Sequence, residues 1–306
     1  VLTKFRGEIL TLTGALFFSF NGIIAKLVLA SGLSPMRLTQ VRCGGAFIIL
    51  LTYVFFRYRE KLRTTRADLP HLAIYGVVGF FAVQALYFVA ISRLHVSIAL
   101  IMEFTAPIWI VIWLRYVKKK YVPPLMWIAI FMAFSGLVLI AQVWRGRTLD
   151  PIGVIAALAD GIVLATFFLL GEKLAAKHQV ETLMVYGFGF ATLAMALILP
   201  LWSFPTEIFT QSMDLQGRFS EFSLPGWVLI TWVIIMGTII PYLLVVNGLK
   251  LLSASTSSVM GMSEPILAGV FAWIWLSEKW GAIQLLGGVV VIVGIILADK
   301  ARTAAH

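Results

Sequence analysis

IMEFTAPIWIVIWLRY, Ile101 to Tyr116, places a glutamate four residues before a proline inside an apolar run that closes on a basic residue. A related stretch returns as SVMGMSEPILAGVFAWIWL, Ser258 to Leu276. Laying Pro107 on Pro265 aligns the third to fifth apolar segments with the eighth to tenth without a gap. Gly79 then meets Gly237, Leu94 meets Leu252, Ser97 meets Ser255 and Gly136 meets Gly294. The first and second segments match the sixth and seventh more loosely, through GALFFSFNGIIAK against AALADGIVLATFF. Five segments per half is an odd number, so a second half must enter the membrane from the opposite side. The expectation is an inverted repeat, with residues 1–146 as one half and 147–306 as the other.

Composition sets the environment. With 306 residues, 60% hydrophobic and 12% charged, the chain has too little polar surface to cover a water-soluble globule. It reads as an all-α integral membrane protein, because the apolar segments are long rather than short and alternating. Ten transmembrane helices are expected, over 7–30, 36–56, 71–92, 96–116, 123–144, 152–173, 181–202, 225–249, 253–276 and 280–299. Each has roughly the 20 residues needed to cross the hydrocarbon. The first is expected to be a retained helix rather than a cleaved signal. The one long connection, Ser203 to Leu224, mixes aromatic and polar residues as a segment at the membrane surface would.

Charge gives direction. RYREKLRTTR (Arg57 to Arg66) follows the second segment and RYVKKK (Arg115 to Lys120) the fourth. With the N-terminus inside, 16 of the 24 Lys and Arg fall in cytoplasmic loops and termini, 6 in outer loops, and 2, Lys26 and Arg42, within helices. The bias places both termini in the cytoplasm (N-in/C-in) of a multi-pass protein in the cell membrane. The net charge of +10 is spread between apolar segments, which speaks for topology and against a nucleic-acid partner. The lone Cys43 allows no disulfide or cysteine metal site within one chain, and His71, His95, His178 and His306 have no metal spacing. No metal and no cofactor is expected.

These features resemble the EamA-type transporters of the drug/metabolite transporter superfamily, which include bacterial amino-acid and metabolite exporters. The resemblance spans nearly the full chain. It rests on the ten-helix 5+5 plan, on SPMRLTQVRCGGAFIIL (Ser34 to Leu50), on Ile101 to Tyr116, and on Ser258 to Leu297, with its proline, Glu278 and the glycines of the tenth segment. The first half departs from the pattern: Lys120 occupies the position matching Glu278. The resemblance implies that helices 1, 3, 4, 6, 8 and 9 surround a central cavity, with helices 5 and 10 outside.

Charged groups inside spans cost about 2.5–3.5 kcal/mol each on insertion scales, so they mark protein-facing or water-facing positions. Lys26, Arg42, Glu103, Asp160 and Glu264 are the candidates; Glu172 is close enough to a cytoplasmic end to be interfacial. Glu103 lies about 10 Å into its helix, too deep for a short side chain to reach water. In the repeat frame Glu103 matches Gly261 and Glu264 matches Ala106, placing the two acids on one face about a turn apart. Ser257, Gly261 and Glu264 would line the ninth helix on that side, with Pro107 and Pro265 loosening the backbone. Phe80, Gln84 and Tyr87 share a face of the third helix, with Tyr242 matching Gln84 in the eighth and Asn21 able to donate from the first. Aromatic rings with a few amides and hydroxyls suit a small amphipathic solute. Each has a plainer reading: the acids as ion-paired structural groups with Lys26 or Arg42 as counter-charge, and the aromatics and Asn21 as helix packing. CGGAF, GFGFAT and GGVVVIVG are expected to permit close helix contact, with a homodimer through the last as an alternative use.

The functional expectation is a secondary transporter exporting small amphipathic metabolites such as amino acids by alternating access, with Glu103 as proton carrier. Facilitated exchange and a lipid or polyprenyl-carrier flippase are the alternatives. A membrane enzyme would need a nucleophile, metal ligands or an acid–base pair that the scattered histidines and single cysteine do not form.

Overall fold

The computed structural model describes residues 5–94, 96–142, 144, 150–277 and 281–303, without the side chains of 92, 96, 97 and 303. His95, Glu278 and His306 lie outside the described residues. Ten helices are long and apolar enough to span: α1 (Arg6–Ala30), α2 (Pro35–Arg57), α3 (Leu69–Ile91), α4 (Ile98–Val117), α5 (Pro124–Ala141), α6 (Pro151–Ala175), α7 (Val180–Ile198), α8 (Gly226–Gly248), α9 (Ala254–Leu276) and α10 (Ala282–Arg302). Large apolar side chains such as Phe56, Phe131, Leu197 and Val289 point outward. In water that surface would drive aggregation; in lipid it is the solvent-facing side.

Helix starts follow local chemistry. Ser34 accepts from the Arg37 amide ahead of Pro35, Asp150 from the Gly153 amide ahead of Pro151, and Ser253 from the Thr256 amide. Helix interruptions follow proline. A proline has no N–H for the carbonyl four residues earlier, so the ladder opens there. The α4 region divides into Val96–Glu103 and Ala106–Ile112, and α9 into Ala254–Gly261 and Glu264–Leu276. Each piece of α9 begins 158 residues after its counterpart, the interval that superimposes Pro107 on Pro265. The breaks even share a bond: Thr105 N–H donates to the Met102 carbonyl at 3.2 Å, Ser263 N–H to that of Met260 at 3.0 Å. Wide π-turns interrupt α3 at Tyr75–Ala82 and α8 at Ile235–Ile239, a pair the sequence reading did not anticipate.

Glycines set the closest approaches. A Cβ on Gly7 would fall 2.8 Å from Leu252 and 3.0 Å from Leu251; one on Gly153 would fall 2.8 Å from Leu94 and 3.0 Å from Arg93. The start of α1 thus crosses the end of α8 as the start of α6 crosses the end of α3. Helices α5 and α10 lie backbone against backbone. A Cβ on Gly136 would sit 2.6 Å from the Gly287 carbonyl oxygen, and one on Gly294 would sit 2.7 Å from the Ala133 nitrogen. Gly287 and Gly294, from the stretch considered for a homodimer, are therefore used within the chain. In α7, Gly187 makes room for Phe80 and Gly189 for Phe47.

The α7–α8 connection is folded rather than merely laid on a surface. It holds short turns and a two-stranded antiparallel hairpin, β1 (Ser212–Asp214) and β2 (Ser223–Pro225), with Met213 opposite Leu224. Arg37 donates to the Ser203 hydroxyl and Pro200 carbonyl, Gln40 to the Leu199 carbonyl, and the Trp275 indole to the Leu215 carbonyl at 2.8 Å. The segment caps α2 and the end of α9, and buries Ile208 and Met213 among Leu27, Leu38 and Phe88.

Because main-chain atoms of Ala129 and Ala133 on α5 press against Gly294, Gly294→Leu is expected to cost about 1–3 kcal/mol, read as a lower thermal midpoint in detergent. Val289→Leu, at an exposed site on α10, should leave the midpoint unchanged.

Candidate functional site

The interruptions place polar groups at mid-helix. Pro241 denies the Gly237 carbonyl its helical donor, and Arg42 supplies one: its Nη2 donates to that oxygen at 3.1 Å. Arg42 Nε donates to Thr238 Oγ1 at 2.9 Å and Nη1 to Gln84 Oε1 at 2.8 Å; Gln84 Nε2 then donates to Tyr242 Oη at 3.3 Å. One guanidinium, 5% exposed, therefore ties α2 to α3 and α8. Asn21 of α1 packs its side-chain amide onto Gly237, with its Oδ1 buried and unpartnered among the described residues. Thr238 and the Gly237 carbonyl were absent from the sequence reading; the signal was Pro241, four residues beyond a glycine in an apolar segment.

Glu103 closes the first piece of α4 and Glu264 opens the second piece of α9. They flank equivalent breaks from opposite sides. A half-helix N-terminus favours negative charge and a C-terminus disfavours it, so the two acids have different settings. Both are half-buried and within electrostatic reach of one another. Ser19 donates to the Glu264 carbonyl at 3.0 Å, joining α1 to the α9 break. Asp160 of α6 is fully buried, and neither carboxyl oxygen has a hydrogen-bond partner among the described residues. Its neighbour Gly161 lies against Thr105 and the Met102 and Glu103 carbonyls, so α6 crosses α4 at the break. Tyr87, half-buried on α3, is within electrostatic reach of Glu103, Glu264, Asp160 and Arg42.

The structure thus brings Arg42, Gln84, Tyr87, Glu103, Asp160, Glu264, Tyr242 and Asn21 into one region. It does not bring Lys26, which is exposed near the far end of α1. Phe80 and Tyr242 belong to a ring cluster with Tyr75, Phe167 and Phe188, their own centroids 4.8 Å apart. This cluster closes the region on one side. Ser257 is fully buried two turns before Glu264, with its hydroxyl unpartnered among the described residues. Ion pairs among the described residues, such as Lys61–Glu181 and Arg93–Asp150, sit at helix ends; none contains Arg42, Lys26, Glu103, Asp160 or Glu264. No three His, Cys, Asp or Glu come together as metal ligands among the described residues.

The model of the EamA-like transporter family matches residues 5–142 and again 151–298. The chain belongs to that family. Among its EamA-like relatives is an uncharacterized transporter of Archaeoglobus fulgidus, 23% identical over 273 residues, covering 87% of this chain and 88% of the relative. Another is the uncharacterized inner membrane transporter YicL of Salmonella typhimurium, 21% identical over 306 residues, covering 98% and 97%. A solved crystal structure superimposes with a TM-score of 0.77 over 98% of both chains at 16% identity, which shows a shared fold. This EamA-like chain is a multi-pass membrane transporter.

Removing the Arg42 donors leaves two buried acceptors, on Thr238 and Gly237, and one half-buried acceptor, on Gln84, unpaired, at about 1–3 kcal/mol for each one left without water. Arg42→Gln is expected to lower the thermal midpoint by several degrees, and Arg42→Lys to rescue little because an ammonium cannot span the three directions. An unchanged midpoint in Arg42→Gln would overturn the tethering role.

Proposed function

We propose that this chain is a secondary transporter that moves small amphipathic metabolites, amino acids among them, outward across the cell membrane by alternating access. The observation that carries the reading is the convergence of Tyr87, Gln84, Glu103, Asp160 and Glu264 from α3, α4, α6 and α9 beside two mid-helix breaks. Discontinuous helices at the repeat interface are where transporters hold solutes, because freed backbone groups and half-helix ends meet there. Arg42 directs its donors to protein oxygens, so the half-buried acids, Tyr87 and the second amide hydrogen of Gln84 are the groups available to a solute. The sequence holds no nucleotide-binding loop, so a gradient supplies the energy. In this reading the termini are cytoplasmic, as the lysine and arginine bias favours.

Glu103 is the proposed proton carrier, since it ends a half-helix, where a negative charge is least supported. Purified protein in liposomes, loaded with radiolabelled amino acids, tests both parts. Glu103→Gln is expected to abolish transport driven by a pH gradient while leaving solute exchange measurable; an unchanged proton dependence would refute the assignment.

Tyr87→Ala and Gln84→Ala are each expected to weaken solute binding about tenfold, the loss of one well-made contact. Calorimetric affinities equal to the parent's in both would remove this face of α3 from the site.

A further inference from the structure

The end of α6 is joined to the start of α9 by a cross-helix hydrogen bond. A Glu172 carboxylate oxygen accepts from the Ala254 amide at 2.8 Å, at the first residue of α9. Ser253 caps the same turn through Thr256. One residue before Glu172, the space at Gly171 is filled by Leu249 from the end of α8 and by the Tyr75 hydroxyl from α3. Four helices therefore meet at this point, and the Glu172 carboxylate lies on a helix N-terminus, where the free amides and the dipole favour negative charge.

The chain supplies its own comparison. Gly7 and Gly153 make matching crossings, Gly7 with Leu251 and Leu252, Gly153 with Arg93 and Leu94. These crossings match α1 to α6 about one helical turn further on than the pairing of GALFFSFNGIIAK with AALADGIVLATFF, so Lys26 corresponds to Glu172, 19 residues beyond each glycine, rather than to Phe168. The counterpart of Ala254 at the start of α9 is Val96, where the first piece of the α4 region begins. In the other half, then, the residue placed to meet a helix N-terminus is a lysine. A cation opposes that dipole and has no acceptor to offer its amides. Lys26 is accordingly exposed.

We infer that Glu172 is a latch that holds one mouth of the pathway shut, and that Lys26 denies the other mouth the same latch, biasing the resting molecule toward closure at the Glu172 end. The inference rests on the alternating-access reading and adds a direction to it. Two mouths built on one plan would be equally easy to close; exchanging acid for base at one of them sets the balance. A ligand that opens the Glu172 mouth must supply the difference from its own contacts.

Accessibility of a thiol at Ser257, one turn inside α9 and fully buried, reads the state of this mouth without any solute. The probe is Ser257→Cys in a Cys43→Ala background, in membrane vesicles of both orientations, with a membrane-impermeant maleimide. Labelling is expected to be slow in this parent and to rise about tenfold in Glu172→Ala, the scale of one charge-assisted hydrogen bond. Glu172→Gln, which keeps an acceptor without the charge, should fall between them. Lys26→Glu removes no buried contact and creates an acid at the other mouth, so it should also raise labelling from the Glu172 side. Unchanged labelling in folded Glu172→Ala overturns the latch; if that variant does not fold, unchanged or slower labelling in Lys26→Glu overturns it. Labelling that responds as expected while no solute moves in liposomes would support the latch and count against the transport reading alone.

Discussion

A backbone carbonyl that loses its donor inside a bilayer has no water to turn to. Pro107, Pro241 and Pro265 each create such a carbonyl, at Glu103, Gly237 and Gly261. Much of the polar architecture is arranged around these three points. At Gly237 the debt is met by a guanidinium from another helix, which in turn positions Gln84 and Tyr242. At the other two the chain breaks into half-helices, and an acid stands at each break. The prolines therefore do more than bend helices: they determine where polar groups can exist at mid-membrane and which ones.

Charge is distributed unevenly along the same lines. Ion pairs of the described residues gather at the ends of helices, where partial hydration lowers the cost of bringing two charges together. Mid-membrane, the single arginine is hydrogen-bonded to neutral oxygens, and among the described residues none of the acids there forms an ion pair, although Glu264 lies within electrostatic reach of Arg42. A lone positive charge shared among a threonine, an amide and a carbonyl is held by geometry. Acids left half-buried beside open backbone are free to respond to what enters.

The ten spans were legible in the sequence because apolar length is a strong, additive signal. The repeat was legible because a break needs a proline at one position, so Pro107 and Pro265 mark equivalent points 158 residues apart. Depth alone singled out Glu103, Asp160 and Glu264. The partners of Arg42 were not legible: Thr238 and Gly237 lie 196 and 195 residues away, and a carbonyl acceptor leaves no side-chain trace. The π-turns of α3 and α8 escaped for a related reason, since widening a helical turn changes hydrogen-bond partners without changing hydrophobicity. The exposed setting of Lys26 was not legible because α1 is apolar on nearly every side, so its sequence carries little information about which face a given residue occupies.

The contact between α5 and α10 has a mechanical side. Where Gly136 meets Gly287 and Gly294 meets Ala133, main chains touch without side chains between them. Such a seam cannot slide by small amounts. It behaves as a stator: any displacement elsewhere in the molecule is measured against this pair, and the compliance must reside in the broken helices α4 and α9 rather than being shared across the whole bundle.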